Sequence, residues 1–196
     1  MMFSDLCAEV YTLTGRSDRV AETESAVKSA TLKAHQSDYF YKDLVEFGLD
    51  FGSADFTQSW GYKSNIPRYR SIKWLRKYDN TSGVPGKLLD LVVPENVFDA
   101  YKIQKQDIYY VAGSFLQINS STSEQYYLAS CYINPDITSD NYDSWVADDH
   151  PYAIIYDAAA TVFKTIGKDE EASAYRNLVA EQISILRASN IVATGY

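Results

Sequence analysis

The chain has 196 residues, long enough for one large or two small domains and for burial of roughly 70% of the unfolded surface. Hydrophobic residues make up 46% and charged residues 22%, which excludes a disordered or fibrous chain; 18 basic against 26 acidic side chains leave −8, which argues against nonspecific adhesion to nucleic acid or anionic membranes. No run approaches the ~20 apolar residues of a membrane span, no secretory leader is expected at the start, and two lone cysteines, Cys7 and Cys131, suit a reducing compartment.

The chain opens as a helix, with Phe3, Leu6, Cys7 and Val10 on one face and Gly15 where a left-handed C-cap belongs. A second helix is expected over residues 18–46, about 43 Å long at ~1.5 Å per residue, because Val20, Val27, Ala34 and Tyr41 repeat every seven residues beside a seam of Thr23, Ala30, Ser37 and Leu44. From residue 47 to about 135 the pattern turns to β-branched and aromatic residues punctuated by glycines. Residues 107–119 read as two strands folded about Gly113, 125–134 as a third strand ended by Pro135, and 68–78 as a further strand or a helix. Gly83 to Gly86 reads as a turn, and Pro94 as the start of a short helix to about Lys102. Pro151 then opens a helix with Tyr152, Ile155, Tyr156, Ala159, Val162, Phe163 and Ile166 on one face. After Gly167, Asp169, Glu170 and Glu171 start another helix, expected to end near Arg187 before an uncharged tail.

The expected fold is α+β: mainly an α-helical bundle of about four main helices, with a β-rich insertion between the helical pairs. One domain, 1–196, would comprise a helical body (1–46 and 145–190), a β-rich extension (47–135) and a C-terminal tail (190–196).

Chemistry-bearing patterns are few. His35, with Asp38 three residues on, suits an exposed surface pair, and His150 after Asp148 and Asp149 suits a capped helix start. Asp136, Asp140, Asn141, Asp143, Asp148 and Asp149 offer oxygen ligands but lack EF-hand spacing, and Asx-turns account for them. No metalloprotease, P-loop, nucleophile-elbow or dinucleotide motif occurs, so no catalytic residue, metal ligand or cofactor is assigned. The strongest charge feature is basic: Lys63, Arg68, Arg70, Lys73, Arg76 and Lys77, interleaved with Tyr69, Trp74 and Tyr78 and free of acids. Arg68, Arg70, Lys73, Arg76 and Lys77 fit either a phosphate-contacting strand with stacking aromatics or a sheet face paired with the acidic remainder of the protein or with a neighbouring subunit, and the net charge favours the paired face.

The order of several motifs resembles the head-to-tail adaptors (connector or tail accessory proteins) of tailed bacteriophages. The opening Phe3-Ser4-Asp5-Leu6, Val10 and Leu13-Thr14-Gly15-Arg16 with Asp18 is similar to the start of that family, as are Glu22-Thr23, Ala26-Val27 and the run from Ala30 to His35. Ile66-Pro67-Arg68-Tyr69-Arg70, Tyr110-Val111-Ala112-Gly113, Tyr132-Ile133-Asn134-Pro135-Asp136, Ser144-Trp145, His150-Pro151-Tyr152-Ala153-Ile154 and Ala158-Ala159 continue the resemblance through most of the chain. It implies a non-enzymatic virion protein, made in the host cytoplasm, that forms a ring of about twelve copies in the neck between portal and tail. The implied partners are the portal protein, tail, nozzle or other neck proteins, and packaged DNA passing through without sequence-specific binding. It also assigns portal docking to the C-terminal tail, here Ile191, Val192, Ala193 and Tyr196. The alternative function is a carbohydrate- or protein-binding module that uses the aromatic β-rich segment.

Overall fold

A computed structural model describes the backbone of residues 1–194 and the side chains through Asn190. The chain divides into two compact units, Met1–Asp43 with Asn134–Tyr196, and Leu44–Ile133.

The first unit is helical. Helix α1 (Phe3–Thr14) buries Phe3, Leu6, Cys7 and Val10 and ends at Gly15, whose φ of 63° and N–H to the Tyr11 carbonyl (2.8 Å) form the left-handed cap. Helix α2 (Val20–Gln36) is only 17 residues long. Its seam of Ala26, Ala30 and Ala34 is almost wholly buried and belongs to one core with Ala158 and Ala159, small residues that let helix backbones approach closely. The expected rod to residue 46 stops at Ser37, whose hydroxyl turns back onto the Ala34 carbonyl at 2.8 Å; beyond it β-favouring Tyr39, Phe40 and Tyr41 outweigh the heptad count.

β1 (Leu44–Gly61), α3 (Tyr62–Asn65), β2 (Tyr69–Asp79), β3 (Val84–Leu91), β4 (Ile108–Ala112) and β5 (Phe115–Ile133) make the second unit. β5 is its spine. Residues 115–119 pair with β4, residues 127–133 pair with β2, and β1 lies antiparallel along the other side of both stretches. β2 pairs with β3, and β3 runs briefly parallel to β4, so β5, β2, β3 and β4 close into a four-stranded barrel with β1 outside it. The core of this unit is formed by Leu49, Leu75, Leu89, Tyr109, Leu116, Ile118, Tyr127 and Ala129. The hairpin about Gly113 forms, with φ 62° at the glycine and Ala112 opposite Phe115, the geometry of a two-residue turn.

Back in the first unit, α4 (Trp145–Asp149), α5 (Pro151–Thr165) and α6 (Asp169–Thr194) follow. α5 buries Ile154, Ile155, Ala158, Ala159, Val162 and Phe163. The backbone of α6 continues through residues 188–194, past the expected end near Arg187, since no Gly or Pro interrupts it there.

The expectation of a mainly four-helix bundle with a β insertion is therefore corrected. The chain has six helices among the described residues and a closed barrel, with 34% of residues in strand. Two local misreadings contributed. Residues 44–61 form an 18-residue strand where their first three were assigned to helix, and Val84, read as part of a turn, begins β3. The helix expected from Pro94 to Lys102 is a single 3-10 turn, Pro94–Asn96, followed by a small hairpin. Asp99 causes the change: its Oδ1 accepts the N–H groups of Tyr101 and Ile103, both at 2.8 Å, and so competes with helical bonding.

Candidate functional site

β2 does not present its five basic residues together. Arg68 is exposed and holds a left-handed φ of 54°, Arg70 is half-buried, and Lys73 is exposed. The Arg76 guanidinium lies over the Trp74 ring, 4.9 Å from its centroid. Lys77 turns inward with Leu75, as strand alternation requires, and leaves the surface altogether. Its Nζ sits 2.7 Å from Asp107 Oδ1 and donates to Thr122 Oγ1 (2.7 Å) and Ser121 Oγ (3.1 Å). Asp107, itself buried at φ 57°, also accepts from Lys87 Nζ (2.8 Å) and from the Ser121 N–H (2.8 Å). Burial alone would raise the Asp107 carboxyl, but hydrogen bonds from Lys77, Lys87 and Ser121 outweigh it and hold the group well below the usual carboxylate range. This clasp joins β2, β3 and β5 through the residue that precedes β4. Nothing in the linear sequence pairs residues 77 and 107.

The outward-facing side chains of β2 alternate with that interior row. Trp74 and Arg76 stand opposite Ser130 and Leu128 of β5, and across β5 lie Glu46 and Gly48 of β1. At the end of this face a cavity of about 210 Å³ is lined by residues that include Gly48, Asp50, Tyr78, Asn80 and Tyr126. A Cβ at Gly48 would meet no atom within 4 Å, so the glycine leaves the face open.

The connection between β3 and β4 holds a folded tip in solvent. The Asp99 N–H donates to the Ile103 carbonyl (2.8 Å) and the Lys105 N–H to the Val97 carbonyl (2.9 Å). The large side chains nonetheless point outward: Phe98 is 58% exposed, Ile103 64% and Tyr101 85%. Leu91 and Val93 beside it are also exposed.

In the helical unit His35 is buried, not part of a surface pair with Asp38. Its Nδ1 lies 2.8 Å from Asp43 Oδ1 and its Nε2 2.9 Å from Ser144 Oγ, while the Trp145 indole N–H donates to the same Asp43 oxygen at 2.7 Å. A hydroxyl, imidazole and carboxylate in this order is the arrangement of nucleophilic hydrolases. Here Ser144 is 5% exposed, and its Oγ accepts the Ala147 N–H as the N-cap of α4. As folded, the three residues pin α2, the turn at Asp43 and α4 together. Sequence reasoning missed them because Asp43 and Ser144 lie 8 and 109 residues from His35.

His150 immediately precedes α5 and lines a cavity of about 210 Å³ with residues that include Phe40, Lys42, Trp145, Asp149 and Asn190. Asp136 makes the Asx-turn its loop was expected to contain, accepting the Thr138 N–H at 3.0 Å. Among the described residues, no group of three or more His, Cys, Asp or Glu side chains is placed to hold a metal ion, and no helix is long and apolar enough to cross a membrane. Cys7 and Cys131 are free and buried, their thiols pushed up to about 11 and about 12 chiefly by burial. The side chains assigned to portal docking, Ile191, Val192, Ala193 and Tyr196, lie outside the described residues.

Charge is unevenly divided. The β unit carries nine basic and nine acidic residues, so the entire −8 belongs to the helical unit.

Comparison with models of known protein families returns no match, and comparison with curated protein sequences returns none.

Proposed function

We propose that this chain is a structural connector of a tailed bacteriophage, not an enzyme, and that about twelve copies form a ring in the virion neck between the portal and the tail. Its partners on this reading are the portal protein, the tail or other neck proteins, and its own copies, with DNA passing through the ring without sequence-specific contact. The order of adaptor-like sequence motifs motivates the reading. The structural observation that carries it is the ordered apolar tip: Phe98, Tyr101 and Ile103 stand in solvent on a hydrogen-bonded scaffold. Large exposed apolar groups on a pre-ordered loop suit docking onto protein, because little conformational entropy is left to lose on binding.

Mass photometry of the full chain mixed with portal rings of the same phage tests the proposal. A discrete gain of about twelve chains per portal is the expected result. Absence of any complex, with the chain shown to be folded, overturns it.

One observation favours a second reading, a carbohydrate-binding module. Trp74 faces outward on β2, and Tyr78 and Tyr126 border an open cavity that also holds Asp50 and Asn80, the mixture of aromatic walls and polar groups a sugar ring uses. Saturable glycan binding that is lost in Tyr126→Ala, by a chain that ignores the portal, would favour this reading over the connector.

A further inference from the structure

β1 is 18 residues long and, among the described residues, pairs with β5 alone, so its second edge is open. An open edge is a row of unpaired N–H and C=O groups that recruits other strands, and proteins ordinarily blunt it with Lys, Pro or a short span. β1 contains no Lys, Arg or Pro; its only irregularities fall between Asp50 and Thr57. Val45 and Phe56 are exposed on it, and its charges, Glu46, Asp50 and Asp55, are all negative. Ahead of those irregularities, residues 44–50 form a regular edge without Lys or Pro that is suited to pairing.

The other side of the same sheet supplies the complement. β2 pairs with β5 from Tyr69 onward, but its pairing with β3 begins only at Leu75. At that end the sheet is three strands wide, β1–β5–β2, and no strand pairs with the outer side of residues 69–74 among the described residues. Residues 69–74 contain no acid, and Lys73 is exposed among them. One outer edge therefore carries three acids and the other an exposed lysine.

We propose that β1 of one copy adds to residues 69–74 of β2 in the next copy, so that the sheets of neighbouring chains join across an edge-to-edge seam. The proposal deepens the connector reading and rests on it for closure into a ring. Pairing β1 with β1 of a second copy would set acid against acid, which disfavours a two-fold dimer. Pairing β1 with β2 sets acid against base and uses two different surfaces, as a closed ring requires. Both strands run antiparallel to β5, so a head-to-tail repeat that keeps the sense of the sheet makes the new pair parallel. Main-chain hydrogen bonds would supply the affinity and the opposed charges the register and direction.

The test uses the full chain and a fluorescent peptide of residues 68–78. Saturable binding is expected, with slowed amide hydrogen exchange in residues 44–50. Glu46→Lys, a change at an exposed position, should weaken the peptide about tenfold, and a peptide carrying Lys73→Glu should recover binding to that variant. No binding, equal binding of a scrambled peptide, or protection outside β1 overturns the seam. Portal loading separates the two claims. Glu46→Lys that loads onto portals as fully as the wild type removes the seam and keeps the connector. A peptide that protects β1 in a chain that never loads keeps the seam and removes the connector.

Discussion

Replacing Asp107 with Asn tests whether the buried clasp holds the barrel closed. Asn keeps the size of the side chain and tolerates the left-handed φ of 57°, so the change removes charge and little else. It leaves the Lys77 ammonium, whose side chain is 9% exposed, without its anion, keeping only neutral acceptors: the hydroxyl oxygens of Ser121 and Thr122 and the new amide oxygen. Breaking one partner of a buried pair costs about 3–5 kcal/mol, and the two hydroxyls place this case near the lower end, about 3 kcal/mol. The Lys87 contact adds little, because that side chain is 67% exposed and solvent-screened. The pH dependence has a defined sign. The folded carboxyl lies below its unfolded value of 3.8, so its contribution is full above that value and is lost as pH falls through the acid range below it. Urea unfolding read by hydrogen exchange of β4 and β5 peptides should show the loss at pH 7, and the difference between wild type and D107N should shrink as pH drops below about 4. The double variant Lys77→Met with Asp107→Asn should recover most of the stability, since an apolar replacement removes the stranded charge. A single variant within about 0.5 kcal/mol of wild type, or a double variant no better than the single, refutes the clasp.

Three further outcomes follow from separate features. His35→Ala should cost about 2–3 kcal/mol by taking one hydrogen bond each from the buried Asp43 and Ser144, while a fluorophosphonate probe should leave Ser144 unlabelled in the native chain; labelling detected by intact mass would make the triad an active site. Tyr101→Ala and Phe98→Ser should leave thermal melting nearly unchanged, within about 0.5 kcal/mol, yet weaken portal or tail-protein binding measured by sedimentation; unchanged binding to both would end the docking role of the tip. Cys7 and Cys131 should react with a thiol-disulfide reagent at pH 8 only on unfolding, and a fast phase in the native chain would contradict their burial.

Local chemistry was legible where a residue's neighbours in sequence are also its neighbours in space. Gly15 and Gly113 announced a cap and a turn, and the periodicity of α1 and α5 announced their buried faces. The length of α2 was overread because a seven-residue repeat of small residues runs on through Ser37 and Leu44, which belong to a cap and a strand. Barrel closure was illegible because it depends on β5 serving two partners in succession on one side, and no local pattern encodes that. The same holds for the side chains that matter most. Lys77 stood in the basic tract as a surface charge, but alternation along β2 sends it inward to an aspartate 30 positions away.

The division of charge gives the connector reading a physical test. A ring of twelve copies would carry about −96, and all of it would reside on helical units, because each β unit sums to zero. A channel lined by helical units would repel DNA and let it slide, whereas one lined by β units would offer no net field. Glu170 and Glu181 are exposed on α6, and substituting both with Gln removes about a quarter of the net charge of every copy without touching the core. With an acid-lined channel, virions carrying this pair should eject DNA more slowly at low ionic strength. The difference should fade as salt shortens the screening length from about 30 Å at 0.01 M to about 8 Å at 0.15 M. Ejection kinetics followed by release of a DNA-binding dye decide the matter. Rates equal to wild type at every salt concentration would rule out an acid-lined channel and leave the charge of the helical unit to solubility or to contacts with the basic edge of β2.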